Sequence, residues 1–499
     1  MQTPSHNNNT DVIHVKKINE VHAAVTSSEM GLLHELADQF TFELPNARFT
    51  PSYKNKFWDG KVRLFSLKTK LFPMGLIPHM ERWAAERDYE LVKSGFPSAD
   101  TPVLLQDIDG FIKKLNLPPE KQPRDYQIKS LLTFCNDKRA IVLSPTASGK
   151  SLAIYMMTMM ALSLGHRVLI TVPTINLVSQ MRQDFLDYGC PDTFIYSITG
   201  GVSKESAARI IISTWQSCSK LNQQWFDKFG CVIGDEAHLY KADCLALMLS
   251  KMKNAEYRVG LTGTLDGKHV HRLQLEANFG PVVRVATTQE LQARGLLSSI
   301  NINFIRLSYT DEARKHARTK LKAFPDEVNW LIENKNRNEL IVKIAKSISG
   351  NSLFLFNHRD SHAKLIYERL LVELGEDRVH YITGSVDGSD REIIRRKVLS
   401  SNNAIIVGTY GCISTGVNIP NLNNAVFCAP GGKSVIRVLQ SIGRVLRKAE
   451  GKKAANLIDL VDDLSSGAYK NHCIKHAAAR MTMYSEQGWS FDKRTFSIT

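Results

Sequence analysis

Between residues 121 and 465, short and almost wholly apolar runs alternate with longer helical stretches. Such runs, punctuated by helices, mark parallel strands buried on both faces. In the first half the pattern predicts strands at residues 140–144, 167–172, 194–198, 209–213, 231–234 and 257–261, with helices at 151–164 and 174–188. In the second half it predicts strands at 352–356, 379–382, 404–408, 425–428 and 455–460. The fold class expected is α/β, two doubly wound parallel-sheet lobes in tandem, spanning 120–285 and 286–465. Residues 1–119 precede them, end in the proline-bearing break Leu117-Pro118-Pro119, and are expected to form a small α+β domain. Residues 466–499 are left as a C-terminal tail.

The 499 residues suffice for about three domains. With 43% hydrophobic and 23% charged residues, disorder and low-complexity scaffolds are excluded. The formal net charge of +15 favours an anionic partner, nucleic acid before a membrane surface. Residues 121–465 hold 45 Lys and Arg against 32 Asp and Glu, so most of the excess sits on the lobes. None of the eight cysteines forms a C-x-x-C pair, which argues against zinc-ribbon and thioredoxin-like sites. Reduced thiols in the cytoplasm are expected. The first residues lack the apolar core of a secretory signal, and the longest apolar run, 152–164, is too short to span a bilayer.

One loop joins a predicted strand to a predicted helix and reads Ser144-Pro145-Thr146-Ala147-Ser148-Gly149-Lys150-Ser151. That context suits a phosphate loop, although Ser144 replaces the usual first glycine. Backbone N–H groups at a helix N-terminus attract phosphates, Lys150 can reach the β and γ phosphates of ATP, and the Ser151 hydroxyl can ligate Mg²⁺. A second strand ends in Asp235-Glu236-Ala237-His238. Carboxylates there face the same strand-end crevice, Asp235 as a Mg²⁺ holder and Glu236 as the group that orients or deprotonates the attacking water. Phosphoryl transfer needs further positive charge. Gln440, Arg444 and Arg447 fall on one predicted helix of the second lobe, the two arginines three apart and so on one face.

The N-terminal zone concentrates charge locally. From Arg48 to Lys70 there are seven Lys and Arg against one acid, Asp59, with Tyr53, Phe57, Trp58 and Phe65 interleaved. Lys54, Lys56, Lys61 and Arg63 can pair with phosphates, and an aromatic such as Trp58 can stack a base.

These motifs together carry a family resemblance. Arg124, Tyr126 and Gln127 precede the phosphate loop as in the adenine-reading motif of superfamily 2 helicases. Val172-Pro173-Thr174, Ser213-Thr214-Trp215-Gln216, Leu261-Thr262-Gly263-Thr264, Gly408-Thr409-Tyr410 through Gly416, and Gln440 to Arg447 resemble the remaining motifs in order. Phe57-Trp58-Asp59-Gly60-Lys61-Val62-Arg63-Leu64, with its flanks, is similar to the N-terminal domain of UvsW-type DNA helicases of T-even phages. The resemblance implies two RecA-like lobes, ATP with Mg²⁺, and a nucleic-acid strand contacted by Thr174, Thr214 and Thr409. It places Gly416 among the nucleotide contacts, and His238, Thr262 and Thr264 among the residues that couple nucleotide state to strand grip. It implies 3′→5′ movement on forks, Holliday junctions and R-loops, in the host cytoplasm, with single-strand-binding or recombination proteins of a phage as further partners. The motor motifs alone leave open an RNA helicase or a duplex translocase. A non-catalytic annealing protein is a second alternative.

Three look-alikes carry less. His358-Arg359-Asp360 resembles a kinase catalytic loop without its companions. His358/His362 and His472/His476 have the spacing of helical metal ligands but lack the accompanying Glu.

Overall fold

A computed structural model of the chain describes residues 11–498 apart from 45–46, 98–100, 242, 266, 358–359, 385, 412–418, 432–434, 450–451 and 453. Gly416 and His358 therefore lie outside the described residues. The chain divides into two compact units, residues 1–144 with 149–285, and residues 145–148 with 286–499.

The first unit begins with a four-stranded sheet in the order Leu71–Pro73, His22–Thr26, Val12–Lys17, Glu90–Ser94. The last pair is parallel and the others antiparallel. Alternation along its strands sends Ile13, Val15, Ala23 and Val25 inward, where helices Met30–Gln39 and Ile77–Ala85 cover them with Leu33, Leu36, Met80 and Trp83. A hairpin of Thr41–Glu43 and Lys61–Arg63 projects from this body.

The α+β domain is seated on the lobe that follows it. Glu276, with no exposed side-chain surface, accepts from Arg272 Nε at 2.8 Å and from Val282 N at 3.3 Å, and its Oε2 lies 2.8 Å from His79 Nε2. At Gly75 the backbones close up completely: a Cβ there would lie 1.9 Å from the Glu276 carbonyl oxygen, so only glycine fits. Glu20 adds a second tie, 2.8 Å from Arg139 Nη2.

The lobe itself is a seven-stranded sheet in the order Val282–Arg284, Arg139–Leu143, Tyr257–Thr262, Cys231–Asp235, Val168–Val172, Ile210–Thr214, Ile195–Ile198. Every pairing is parallel. Strands wholly buried, such as Val168–Val172 and Ile210–Thr214, are those that read as continuous apolar runs.

The second unit holds another seven-stranded parallel sheet, ordered Val379–Ile382, Ile405–Thr409, Ser352–Phe356, Asn424–Phe427, Ala454–Asp463, Ser299–Tyr309, Phe491–Ile498. Two of these strands are absent from the sequence reading. Ser299–Tyr309 alternates polar and apolar residues, and Phe491–Ile498 lies at the sheet edge with mostly exposed side chains. Residues 466–499 thus supply helix His472–Glu486 and an edge strand to this sheet. Among the described residues no helix is long and apolar enough to cross a membrane.

Candidate functional site

The first lobe gathers its motif residues at one edge of its sheet. Leu143 pairs with Thr262, Leu261 with Asp235, Gly234 with Thr171, and Val172 with Thr214, so all these strands end together. Ligands bind beyond the C-terminal ends of such strands. The Ser144 N–H donates to the Thr262 carbonyl at 3.0 Å, which ties the start of the phosphate loop to the end of the neighbouring strand.

The loop then turns on left-handed residues, Ala147 at φ 67° and Gly149 at φ 79°. Alternation into that region turns successive N–H groups toward one concavity, the geometry of an anion nest. A non-glycine held there is strained, which is common where backbone must meet a ligand. Pro145 accepts from the Ser148 N–H at 3.2 Å, Ser148 and Ser144 are buried, and Thr146 is half-buried. Lys150 opens helix Lys150–Ser163.

Gln127 reaches this loop, and Arg124 is bonded to both Gln127 and Tyr126. The Arg124 N–H donates to Gln127 Oε1 at 2.8 Å, and Arg124 Nη1 donates to the Tyr126 hydroxyl at 2.9 Å. Gln127 Nε2 donates to the Gly149 carbonyl at 2.9 Å. A Cβ at position 149 would sit 2.7 Å from that nitrogen, so glycine is required by space as well as by φ.

Asp235 and Glu236 stand side by side at a strand end, and the Glu236 N–H donates to Asp235 Oδ1 at 3.0 Å. Burial and the adjacent Glu236 push the Asp235 carboxyl up to about 7, against the pull of Lys150. Two crowded carboxylates are oxygen donors of the kind that suits a hard divalent cation. Ser151 Oγ lies 2.9 Å from the Tyr188 hydroxyl, which leaves it a lone pair when Tyr188 donates. Nothing in the sequence pointed to Tyr188, which comes from the end of the next helix.

His238 is buried, with Nδ1 3.0 Å from Thr262 Oγ1 and 3.4 Å from Glu236 Oε2. Thr262 Oγ1 donates its single proton to the Thr264 carbonyl at 3.0 Å and accepts from the Thr264 N–H at 3.3 Å. The hydroxyl is therefore an acceptor toward His238, which fixes the proton on Nδ1. This chain links Glu236, His238, Thr262 and Thr264 physically. Thr174 precedes helix Ile175–Asp187, while Thr214 is buried with Oγ1 2.9 Å from Ser217 Oγ.

In the second unit Thr409 ends its strand, buried. Gln440 and Arg444 lie half-exposed on helix Val435–Val445. Arg447 does not share that helix, which ends two residues earlier at Val445. The Ser298 N–H donates to Leu446 O at 2.9 Å, and Lys452 Nζ donates to Val445 O and, at 2.8 Å, to Arg447 O. Burial and the nearby Arg447 bring Lys452 down to about 8. The expectation of one arginine-bearing helix face is corrected accordingly.

On the N-terminal hairpin, Lys54, Lys56 and Lys61 are exposed, and Arg63 is exposed but bound to Asp59. Trp58 is half-buried, its indole N–H donating to Lys61 O at 2.9 Å. His362, one of the look-alikes set aside above, is buried with Nε2 3.0 Å from Asn338 Oδ1.

Three family models match the chain: "DNA helicase UvsW, N-terminal" over residues 13–93, "Type III restriction enzyme, res subunit" over 120–267, and "Helicase conserved C-terminal domain" over 336–449. The ATP-dependent DNA helicase uvsW of Enterobacteria phage T4 is 31% identical over 492 residues, 94% of this chain and 97% of the relative. The DNA 3′-5′ translocase XPB2 of Sulfurisphaera tokodaii is 27% identical over 68% of this chain and 81% of its own length. The crystal structure of T4 UvsW superposes with a TM-score of 0.51 at 30% identity, covering 98% of this chain and all of that one. With every motor motif in order, a matching N-terminal domain and end-to-end similarity, this chain belongs to the UvsW family of superfamily 2 DNA helicases.

Proposed function

We propose that the chain is an ATP-driven DNA helicase and translocase that moves 3′→5′ and remodels branched DNA, namely forks, Holliday junctions and R-loops. The observation that carries this reading is the shared strand edge where phosphate loop, Asp235–Glu236 and the His238–Thr262 link meet. Lys150 and the loop N–H groups bind the phosphates, and Gln127 braces the loop beneath the adenine. Ser151 and Asp235 would hold Mg²⁺, which neutralises phosphate charge when bound. Glu236 orients the attacking water and takes its proton. Gln440, Arg444 and Arg447 are assigned to the negative charge that develops on the γ-phosphate. His238, Thr262 and Thr264 relay hydrolysis to the strand contacts, for which Thr174, Thr214 and Thr409 are the candidates. Those contacts are to backbone phosphates and are indifferent to sequence.

Lys150→Ala should reduce DNA-stimulated ATP hydrolysis and fork unwinding by about 100-fold or more, with the fork Kd almost unchanged. Unwinding that persists in this variant overturns the assignment. Titrating the ATPase with single-stranded, duplex and branched DNA beside RNA separates a DNA motor from an RNA helicase, since an RNA helicase answers to RNA alone.

A further inference from the structure

The N-terminal hairpin presents one side chain that no fold requirement explains. Phe57 is 86% exposed, in a domain whose other large core aromatics, Phe65, Phe72 and Trp83, are buried. Its neighbour Trp58, the aromatic the sequence suggests for stacking, is half-buried, and its indole N–H is committed to Lys61 O at 2.9 Å.

The segment that displays Phe57 is firmly built. Thr50 caps helix Pro51–Lys54, and the N–H groups of Asn55, Lys56 and Phe57 donate to Pro51 O, Tyr53 O and Ser52 O at 2.9, 3.0 and 2.9 Å. Lys56 is held left-handed at φ 59°, a conformation a lysine adopts only where its surroundings enforce it. Behind it, Gly60 at φ 80° lets the turn close on its own segment, where a Cβ would sit 3.0 Å from Ala47 Cβ and 3.1 Å from the Tyr53 ring. The Lys61 N–H donates to Asp59 Oδ1 at 3.1 Å, and Arg63 closes the turn on the same carboxylate. The ring is therefore carried on a closely hydrogen-bonded turn.

Its surroundings select the occupant. Arg48, Lys54, Lys56 and Lys61 flank it along the chain, all exposed; of the two acids nearby, Asp59 is paired with Arg63, and Glu43 stands opposite Lys61 across the hairpin. The Arg48 guanidinium carbon lies 5.0 Å from the Phe49 ring centroid, beside a ring that is itself 61% exposed. Protein-docking surfaces are depleted in lysine at their centres. Cations mixed with exposed rings instead match a polyanion whose bases have π faces.

We infer that Phe57 is a base-stacking pin, that its ligand is the unstacked base pair at a branch point of DNA, and that the flanking lysines hold the adjoining phosphates. A continuous duplex offers no free face, because each pair is covered on both sides; a junction does. This rests on the reading of the chain as a branched-DNA motor and adds the element that senses the branch.

The test uses the full chain without nucleotide, so that its failure leaves the motor reading standing and failure of the motor leaves the pin standing. 2-Aminopurine replaces the base next to the branch of a fork, and its fluorescence is read at saturating protein. Wild type should change the signal. Phe57→Ala should abolish the change and raise the fork Kd about tenfold, against a much smaller rise for continuous duplex of equal length. Phe57→Trp should preserve signal and affinity, and Phe57→Leu, apolar but not planar, should behave like Phe57→Ala. The exposure of the ring predicts unchanged melting temperatures. A Leu variant equal to wild type, equal losses on fork and duplex, or an Ala variant that still changes the signal each overturns the inference, the last leaving a protein partner as the occupant.

Discussion

At position 362 an imidazole is 2% exposed, with Nε2 3.0 Å from Asn338 Oδ1 and its ring edge-on to Phe356 at 4.9 Å. Burial, with help from the nearby Arg337 charge, lowers its pKa from 6.5 to about 3. The folded protein therefore declines a proton that the unfolded chain accepts. The contribution of this group to stability is complete above pH 6.5 and falls as pH drops toward 3, by ~1.4 kcal/mol per unit. His362→Gln keeps a group able to bond Asn338 but cannot titrate. Between pH 7 and pH 4.5 wild type should lose roughly 2 kcal/mol more than the variant, measured by urea unfolding; parallel pH profiles would show that this imidazole titrates freely. Asp235 shows the opposite use of burial. Its carboxyl is pushed up to about 7 at a strand end, where an arriving cation can repay the charge. The two groups share a physical cause, and only the neighbours distinguish a packed side chain from a reactive one.

At the scale of elements, strand Ala454–Asp463 anchors the second unit through two buried carboxylates. Asp462 accepts from Arg337 Nε at 2.7 Å, from Arg337 Nη2 at 3.1 Å and from the Tyr309 hydroxyl at 2.7 Å. Asp459 accepts from Arg480 at 2.9 and 2.7 Å and from the Tyr484 hydroxyl at 2.8 Å. Helix His472–Glu486 is thereby tied to the sheet, and Glu327 caps its start by accepting from the N–H groups of His472 and Cys473, both at 2.8 Å. Asp459→Ala strands the Arg480 charge in the core and should cost about 3–5 kcal/mol by urea unfolding, whereas replacing both partners with apolar residues should cost far less. Equal losses for the single and double variants would mean that packing, not charge pairing, holds the helix. None of these ties was visible in the sequence, since Asp459 and Arg480 carry no motif. Central strands were legible because burial on both faces demands unbroken apolar runs, as in Ser352–Phe356; the edge strand Val379–Ile382 is mostly buried as well, and the limits of both agree with the expected ones. Ser299–Tyr309 was not, because its polar residues alternate, and Phe491–Ile498 was not, because six of its eight side chains are exposed. The phosphate loop and Asp235–Glu236 were legible as local motifs; Tyr188 on Ser151, 37 residues away, could not be.

Across the first unit as a whole, the α+β domain is bolted to a particular helix. Helix His269–Phe279 follows the strand that ends in Thr262, the threonine bonded to His238, and it carries Glu276 on its far part. Burial alone would raise the Glu276 pKa; hydrogen bonds from His79 and Arg272 outweigh it and bring it down, so the carboxylate stays charged in the seam. The domain that bears Phe57 and the lobe that holds Thr262 thus belong to one compact unit and meet at the Gly75–Glu276 contact. Glu276→Gln keeps the volume and removes the charge that holds His79 and Arg272 together. ATP hydrolysis stimulated by single-stranded DNA should stay within about threefold of wild type, since no residue of the nucleotide site is touched. Fork remodelling per ATP should fall roughly tenfold, a coupling loss of the size that such networks carry. Hydrogen exchange should rise in helix Ile77–Ala85, which reports that the seam has loosened rather than that the lobe has unfolded. If hydrolysis and remodelling decline in step, Glu276 serves only to stabilise the fold, and the domain does not transmit the motor's work to the branch.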